Sequence, residues 1–480
     1  MRHFAIVVIT GTLVACGSQS SQTPAAPPAT PAPAEPAPWV MPDVLGVDAL
    51  EDQNPDPDVV EVTIAAGVAT RSFVAGKPAK VFAYNGSLPG QLLRAKVGDH
   101  VIVHFKNNLA EPTTIHWHGL RISDQMDGSP RMQTPVKPGG EFTYDFVVPD
   151  AGTFWYHPHV TAAEQVEKGL QGTIVVFDPK RDPTYDAERF LVLDDIRVET
   201  DGTIAKQSQM DGMMGGRFGN MLLTNARPVK EAVASVEQGT VERWRIVNTA
   251  NARTMEINVA GASWRVIATD GGLLPQPYTT KRLLVAVGQR YDLEVTYDRP
   301  GTAKLTSWVE SADAAGNVTK NEISAFTVAV GASDRVPRDI TYPELKLPER
   351  AADAKATITL DATNEGPMPW TLNGMAEPMA PLFTWRQGST VDVTIQNMVA
   401  TEHPFHIHGQ FFTILDASQP GLKDVVLVPP NGTVKIRAYV DNPGRWMAHC
   451  HILEHAEMGM MGEVVVTPDP NAPPMAPMVQ

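Results

Sequence analysis

The chain has 480 residues, 43% of them hydrophobic and 19% charged, with 41 prolines and 37 glycines. That length exceeds one ordinary domain, and the composition suits a turn-rich, globular β protein. The formal net charge of −15 argues against nucleic acid as a partner, since a phosphate backbone calls for a basic surface.

The first residues, "MRHFAIVVITGTLVAC", combine a basic start, a short apolar run and a small residue before Cys16. This is the grammar of an export signal, and the run is too short to span a membrane comfortably. Leu13, Val14, Ala15 and Cys16 resemble a bacterial lipobox. The resemblance implies a signal over residues 1–16, with Cys16 retained and lipidated as the new N-terminus. The expectation is an exported protein of a bacterial envelope or periplasm, anchored to a membrane by that lipid. The Pro/Ala-rich stretch that follows cannot build a core, and a tether is expected over residues 17–56. At about 3.1 Å per residue, Gly17 to Pro38 would reach roughly 70 Å if polyproline-like.

The rest of the chain repeats three times. "NGSLPGQLLRAKVGDHVIVHFKNN" from Asn85, "NARPVKEAVASVEQGTVERWRIVNTA" from Asn225 and "NGMAEPMAPLFTWRQGSTVDVTIQNM" from Asn373 share a glycine turn followed by alternating apolar residues. Val101, Val103 and Phe105, like Val391, Val393 and Ile395, have the period of a half-buried strand. Three all-β domains of sandwich or Greek-key type are expected, over residues 57–180, 181–340 and 341–470, with a tail at 471–480. "TAAEQVEKGL" is one short helical candidate.

The repeat also locates the chemistry. His116, His118, His157 and His159 fall in the first unit, and His406, His408, His449 and His451 in the third. The middle unit has "MEI" and "TSW" at the matching places and no histidine. Residues two apart on a strand share a face, so each pair presents two imidazoles to one side. Eight imidazoles exceed the need of one transition metal ion; at least two are implied, and three fit with water or hydroxide. The cluster should lie between the first and third domains. His100 and His104 lack partner spacing and read as structural or surface groups.

Cys450, between His449 and His451, has the opposite parity and must face away from the cluster. His403 shares that parity if its segment is extended, and His455 and Met460 follow just downstream. Two imidazoles, one thiolate and a weak thioether are the donors of a blue copper electron-transfer site. Structural zinc would want more cysteines, and an iron–sulfur cluster lacks its thiolates. Pro158 takes the place of Cys450 in the first domain, which therefore cannot build the same site.

"HWHG", "HPH", "HPFHIHG" and "HCHILEHAEMGM" together resemble the four copper motifs of the three-domain multicopper oxidases. That family includes laccases and bacterial cuprous oxidases, and the resemblance runs from about Val60 to Pro468. It implies three cupredoxin-like Greek-key β-sandwiches and four copper ions. His403, Cys450, His455 and axial Met460 would hold a type 1 copper. His116 and His406 would hold a type 2 copper. His118, His157, His159, His408, His449 and His451 would hold a type 3 pair. The implied activity is one-electron oxidation of a donor coupled to four-electron reduction of dioxygen to water, with electrons passing through Cys450 to His449 and His451. Asp127 matches the family position of an acid near the cluster, with a turn aspartate before Gly128 as the plainer reading. Ala456 stands where some relatives carry a second acid.

The donor is expected to be Cu(I) or a small aromatic reductant such as a phenol. Met210, Met213, Met214 and Met221 crowd one glycine-rich stretch, and thioethers suit Cu(I), although methionines also fill irregular gaps. Glu457 is a candidate to receive a metal ion or a phenol. A copper-binding or sequestering protein without turnover is the alternative, and the complete ligand set argues against it.

Overall fold

The computed structural model describes residues 7–8, 10–11, 39–312, 318–363, 368–378, 380–416, 419–472 and 475–479. Cys16 and residues 17–38 of the expected tether lie outside them. The chain divides into two units, Met1–Val40 and Met41–Gln480, and the second carries the fold. Among the described residues no helix is long and apolar enough to cross a membrane.

Among the described residues, six sheets pair into three sandwiches. In the first, Val59–Val74 runs parallel to His100–Asn107, which pairs antiparallel with Glu141–Val147. The same arrangement recurs in the middle sandwich with Ala187–Ile196, Val241–Asn248 and Arg290–Thr296. It recurs in the third with Ala354–Ala362, Ser389–Asn397 and Thr433–Val440. The alternation read from sequence is the cause: Val101, Val103, Phe105, Val391, Val393 and Ile395 are all buried, filling the space between facing sheets. The architecture is all-β, built of three cupredoxin-like sandwiches. "TAAEQVEKGL" contributes the short helix Ala162–Glu167.

The histidines sit on the second sheet of each outer sandwich. His116–His118 pairs antiparallel with Gly152–His157, His116 opposite His157. His403–Ile407 pairs antiparallel with Gly444–Cys450, His406 opposite His449 and Phe405 opposite Cys450. In the middle sandwich Met255–Ala260 and Gly301–Ala312 take the same places, Ile257 opposite Ser307.

The expected tether boundary at residue 56 needs correction. Val44–Leu45 pairs with the edge of Ala187–Ile196, and the Leu50 amide donates to the Leu92 carbonyl. Residues 41–56 thus belong to the folded body, tied by backbone bonds too short in span to show a period. The tail also docks: Met478 is buried and its amide donates to Asp150.

Candidate metal centre

The eight paired histidines converge where the first and third sandwiches meet. His116 stacks on His408 with ring centroids 3.9 Å apart, and His118 on His406 at 4.0 Å. His159 lies 4.9 Å from His408 and 5.1 Å from His449, centroid to centroid. His451 lies 5.0 Å from His118 and 5.5 Å from His157. All are buried except His159, which is partly exposed. His118 ends its strand, whereas His159, His408 and His451 lie just past theirs. Alternation therefore extends into the following turns.

Most rings are held by Nδ1, which leaves Nε2 facing the cluster. Nδ1 of His116, His157, His406 and His449 contacts the carbonyls of Asp127, Pro158, Asp424 and Cys450 at 2.8–3.0 Å. The Nε2 atoms of His116, His157, His159 and His406 are buried with no hydrogen-bond partner. Nε2 atoms of His408 and His449 face each other at 3.0 Å. Orphaned buried nitrogens are costly, at about 1–3 kcal/mol each, and a metal ion satisfies them together. Burial first, then neighbouring imidazoles, holds His118, His157, His159, His406, His408 and His451 well below their ordinary pKa. They are neutral at pH 7, the form that ligates metal.

Cys450 points the other way, into the apolar core of the third sandwich. Its Sγ lies 3.4 Å from His403 Nδ1 and 3.9 Å from His455 Nδ1, and these two nitrogens are 3.3 Å apart. Burial raises the Cys450 thiol and pushes His403 down to about 4 and His455 to about 3. A trigonal set of one sulfur and two neutral imidazoles fits copper, and a bound cation deprotonates such a thiol. Met460 is buried in the same core; its carbonyl accepts the Cys450 amide at 3.0 Å, and its amide donates to His455. His455 lies on the short helix Leu453–Glu457. Trp370 packs on its ring at 4.0 Å.

Asp127 is buried where the fold needs it: Oδ2 lies 2.9 Å from His408 Nδ1 and Oδ1 lies 3.2 Å from His116 Nδ1. It thus grips one imidazole from each outer sandwich. Met210, Met213 and Met214 are exposed on and beside the helix Gln209–Met213, and His455 Nε2 donates to the Met214 carbonyl at 3.0 Å. Met221 does not join them. It lies on the strand Met221–Thr224 and packs against a core cluster that includes Phe73, Ile196 and Leu223, a fold-filling place. Glu457 accepts the Ala163 amide at 2.9 Å. With Glu454, Met458, Gly212 and Gln207–Gln209 it lines a cavity of about 280 Å³. His100 and His104 pair with Asp145 and Glu61 on the surface, as their isolation suggested.

Sequence reasoning missed Asp424 and Trp370. Asp424 Oδ1 lies 3.1 Å from His118 Nε2, across more than half the chain. The one local signal was a lone acid beside the apolar run "VVLV". Trp370 had none.

A β-sandwich protein with a neutral imidazole cluster wired by one cysteine to a sulfur–imidazole set is a redox metalloprotein. Three family models described as multicopper oxidase match residues 66–181, 155–323 and 350–470. The multicopper oxidase MmcO of Mycobacterium tuberculosis is 31% identical, covering 86% of this chain and 88% of its own. A crystal structure of a Pseudomonas thermotolerans multicopper oxidase superposes with a TM-score of 0.75 at 29% identity, covering 85% and 99% of the two chains. A laccase-like oxidase of Ochrobactrum, described as active on lignin model compounds, gives a TM-score of 0.74 at 26% identity over 88% and 100%. The chain belongs to the multicopper oxidase family: it is a copper-dependent oxidoreductase that uses dioxygen.

Proposed function

We propose that the chain takes single electrons from a donor at the His403–Cys450–His455 site, where Met460 would be a further copper ligand, and delivers them to dioxygen at the shared cluster. In this reading His116 and His406 would hold one copper, His118, His157 and His451 a second, and His159, His408 and His449 a third. Bound copper supplies the one-electron storage that lets four single electrons and four protons turn dioxygen into two waters. The protein's part is placement. Cys450 is bonded through the chain to both His449 and His451, so one peptide segment links the two donor sets. Asp127 orients His408 and His116 and stands ready to pass protons. That wiring through Cys450 is the observation that carries the proposal. Cys450→Ser should abolish the blue colour and donor oxidation while copper remains in the cluster; a blue, active variant would sink it.

Cu(I) is the favoured donor. Met210, Met213 and Met214 offer exposed thioethers, the soft ligands Cu(I) prefers, on the segment whose carbonyl meets His455. A phenol is the second reading, supported by the cavity beside Glu454 and Glu457 and by the Ochrobactrum relative. Oxygen uptake with Cu(I), Fe(II) and a phenol separates them. Replacing the three methionines by Ala should slow Cu(I) oxidation and spare the phenol; unchanged Cu(I) turnover would remove the methionine role. We further infer export and lipid anchoring at Cys16, which mass spectrometry of the mature N-terminus tests.

A further inference from the structure

The middle sandwich has no histidine in the sequence, yet one of its residues reaches the cluster. Arg290 is completely buried at the junction of all three sandwiches. Each of its five guanidinium N–H groups has an acceptor. Nε donates to the Thr153 carbonyl of the first sandwich at 3.0 Å. Nη1 donates to the Gly288 carbonyl and to Asp424 Oδ1 at 3.1 and 2.7 Å. Nη2 donates to the Asp270 carbonyl and to Asp424 Oδ2 at 3.0 and 2.6 Å. The fork grips Asp424 bidentately, the geometry in which arginine best fixes a carboxylate.

Asp424 in turn touches both sides of the cluster. Its Oδ1 takes His118 Nε2, and its backbone carbonyl takes His406 Nδ1 at 2.8 Å. The consequence is visible at His118. Its Nε2 is engaged by the carboxylate, so Nδ1 is the nitrogen that faces the cluster, 3.3 Å from His451 Nε2. His116, His157, His406 and His449 use their nitrogens the other way round. Gly288 backs the opposite ring: a Cβ there would lie 2.9 Å from His451. Burying an arginine and a carboxylate carries a large desolvation penalty, and an apolar strut would join three sandwiches without it.

We propose that Arg290 is a positioning residue for the shared cluster: by orienting Asp424 it sets His118 to bind metal through Nδ1. The inference rests on the copper reading of the cluster given above. Metal-holding histidines depend on such partners, whose loss commonly costs ~10–100-fold in metal affinity.

The test is copper retention by the full-length, copper-loaded chain against a graded chelator, read as copper per chain, with blue absorbance reporting the Cys450 site. Arg290→Leu should weaken retention of cluster copper by ~10–100-fold with the blue colour kept. Arg290→Lys, which keeps charge and loses the fork, should fall between, and Asp424→Asn should act in the same direction. Retention matching the wild type in Arg290→Leu overturns the proposal. So does parallel loss of blue colour and cluster copper in a variant that still folds, because the effect would then not be confined to the cluster. Should Arg290→Leu not fold, Arg290→Lys and Asp424→Asn decide on the same readouts. A crystal structure of the copper-loaded wild type adds a check that needs no variant: His118 bound through Nε2 overturns the proposal. A wild type that holds no copper at the cluster would instead overturn the function proposed above.

Discussion

Acid should unfold the copper-free protein through its buried imidazoles, and His403 allows the effect to be isolated. Burial alone pushes its pKa from 6.5 down to about 4. Below pH 6.5 the unfolded chain takes up a proton that the folded chain refuses, so the unfolded state gains. The contribution is fully present above 6.5, falls as pH drops, and is lost by about pH 4. Two and a half units at about 1.36 kcal/mol each give about 3 kcal/mol, or about 1.4 kcal/mol per pH unit across the window. His403→Leu keeps an apolar side chain of similar bulk and removes the proton site. Urea unfolding of copper-free wild type and variant, followed through that window, reads the slope directly. The wild type should lose stability more steeply, by about that amount per unit. Parallel slopes would refute the reasoning, because they would mean that His403 is protonated as readily folded as unfolded.

Three further outcomes follow from the geometry. Asp127→Asn removes the carboxylate that holds His408 and His116; cluster copper should be bound ~10–100-fold more weakly, measured by chelator competition with the blue band intact. Gly119→Ala should destabilise by about 2–4 kcal/mol, combining left-handed strain with overpacking. Gly119 has φ +92°, and a Cβ there would meet an Arg290 nitrogen and lie 2.8 Å from Asp424 Oδ2; a neutral shift in urea midpoint would contradict the packing. In rising urea the cluster signal should vanish before the blue colour, because the cluster spans two sandwiches and the Cys450 set only one. Blue colour lost first would refute that order.

Much of this site was legible because its logic is local. Two-residue spacing makes pairs of imidazoles co-facial, and a single step of parity separates Cys450 from both neighbours. The register confirms that step, with Phe405, not His406, opposite Cys450. What escaped has no local period. His118 and Asp424 are brought together only by the docking of sandwiches, and Trp370 reaches the helical His455 from the strand Trp370–Leu372, far off in sequence. Met221 misled for the opposite reason. Nearness in sequence suggested a cluster, but the chain turns after Met214 onto a strand whose side chains serve a core. Residues 41–56 read as tether from sequence because the two-residue strand Val44–Leu45 is too short to alternate.

The two donor sets differ in what the fold must do to form them. His403, Cys450, His455 and Met460 all belong to the third sandwich, so its own core suffices to place them. The cluster has four histidines from each outer sandwich, and neither sandwich can assemble it alone. Metal bound there is therefore linked to docking: any ion that prefers the assembled cluster stabilises the interface by mass action. The linkage also runs in reverse. Whatever fixes the relative placement of the outer sandwiches fixes the cluster's affinity, and Asp127 shows how closely they are held, with His116 and His408 on one carboxylate. On the function proposed above, electron acceptance from the donor would need one domain, whereas oxygen reduction would need the whole assembly.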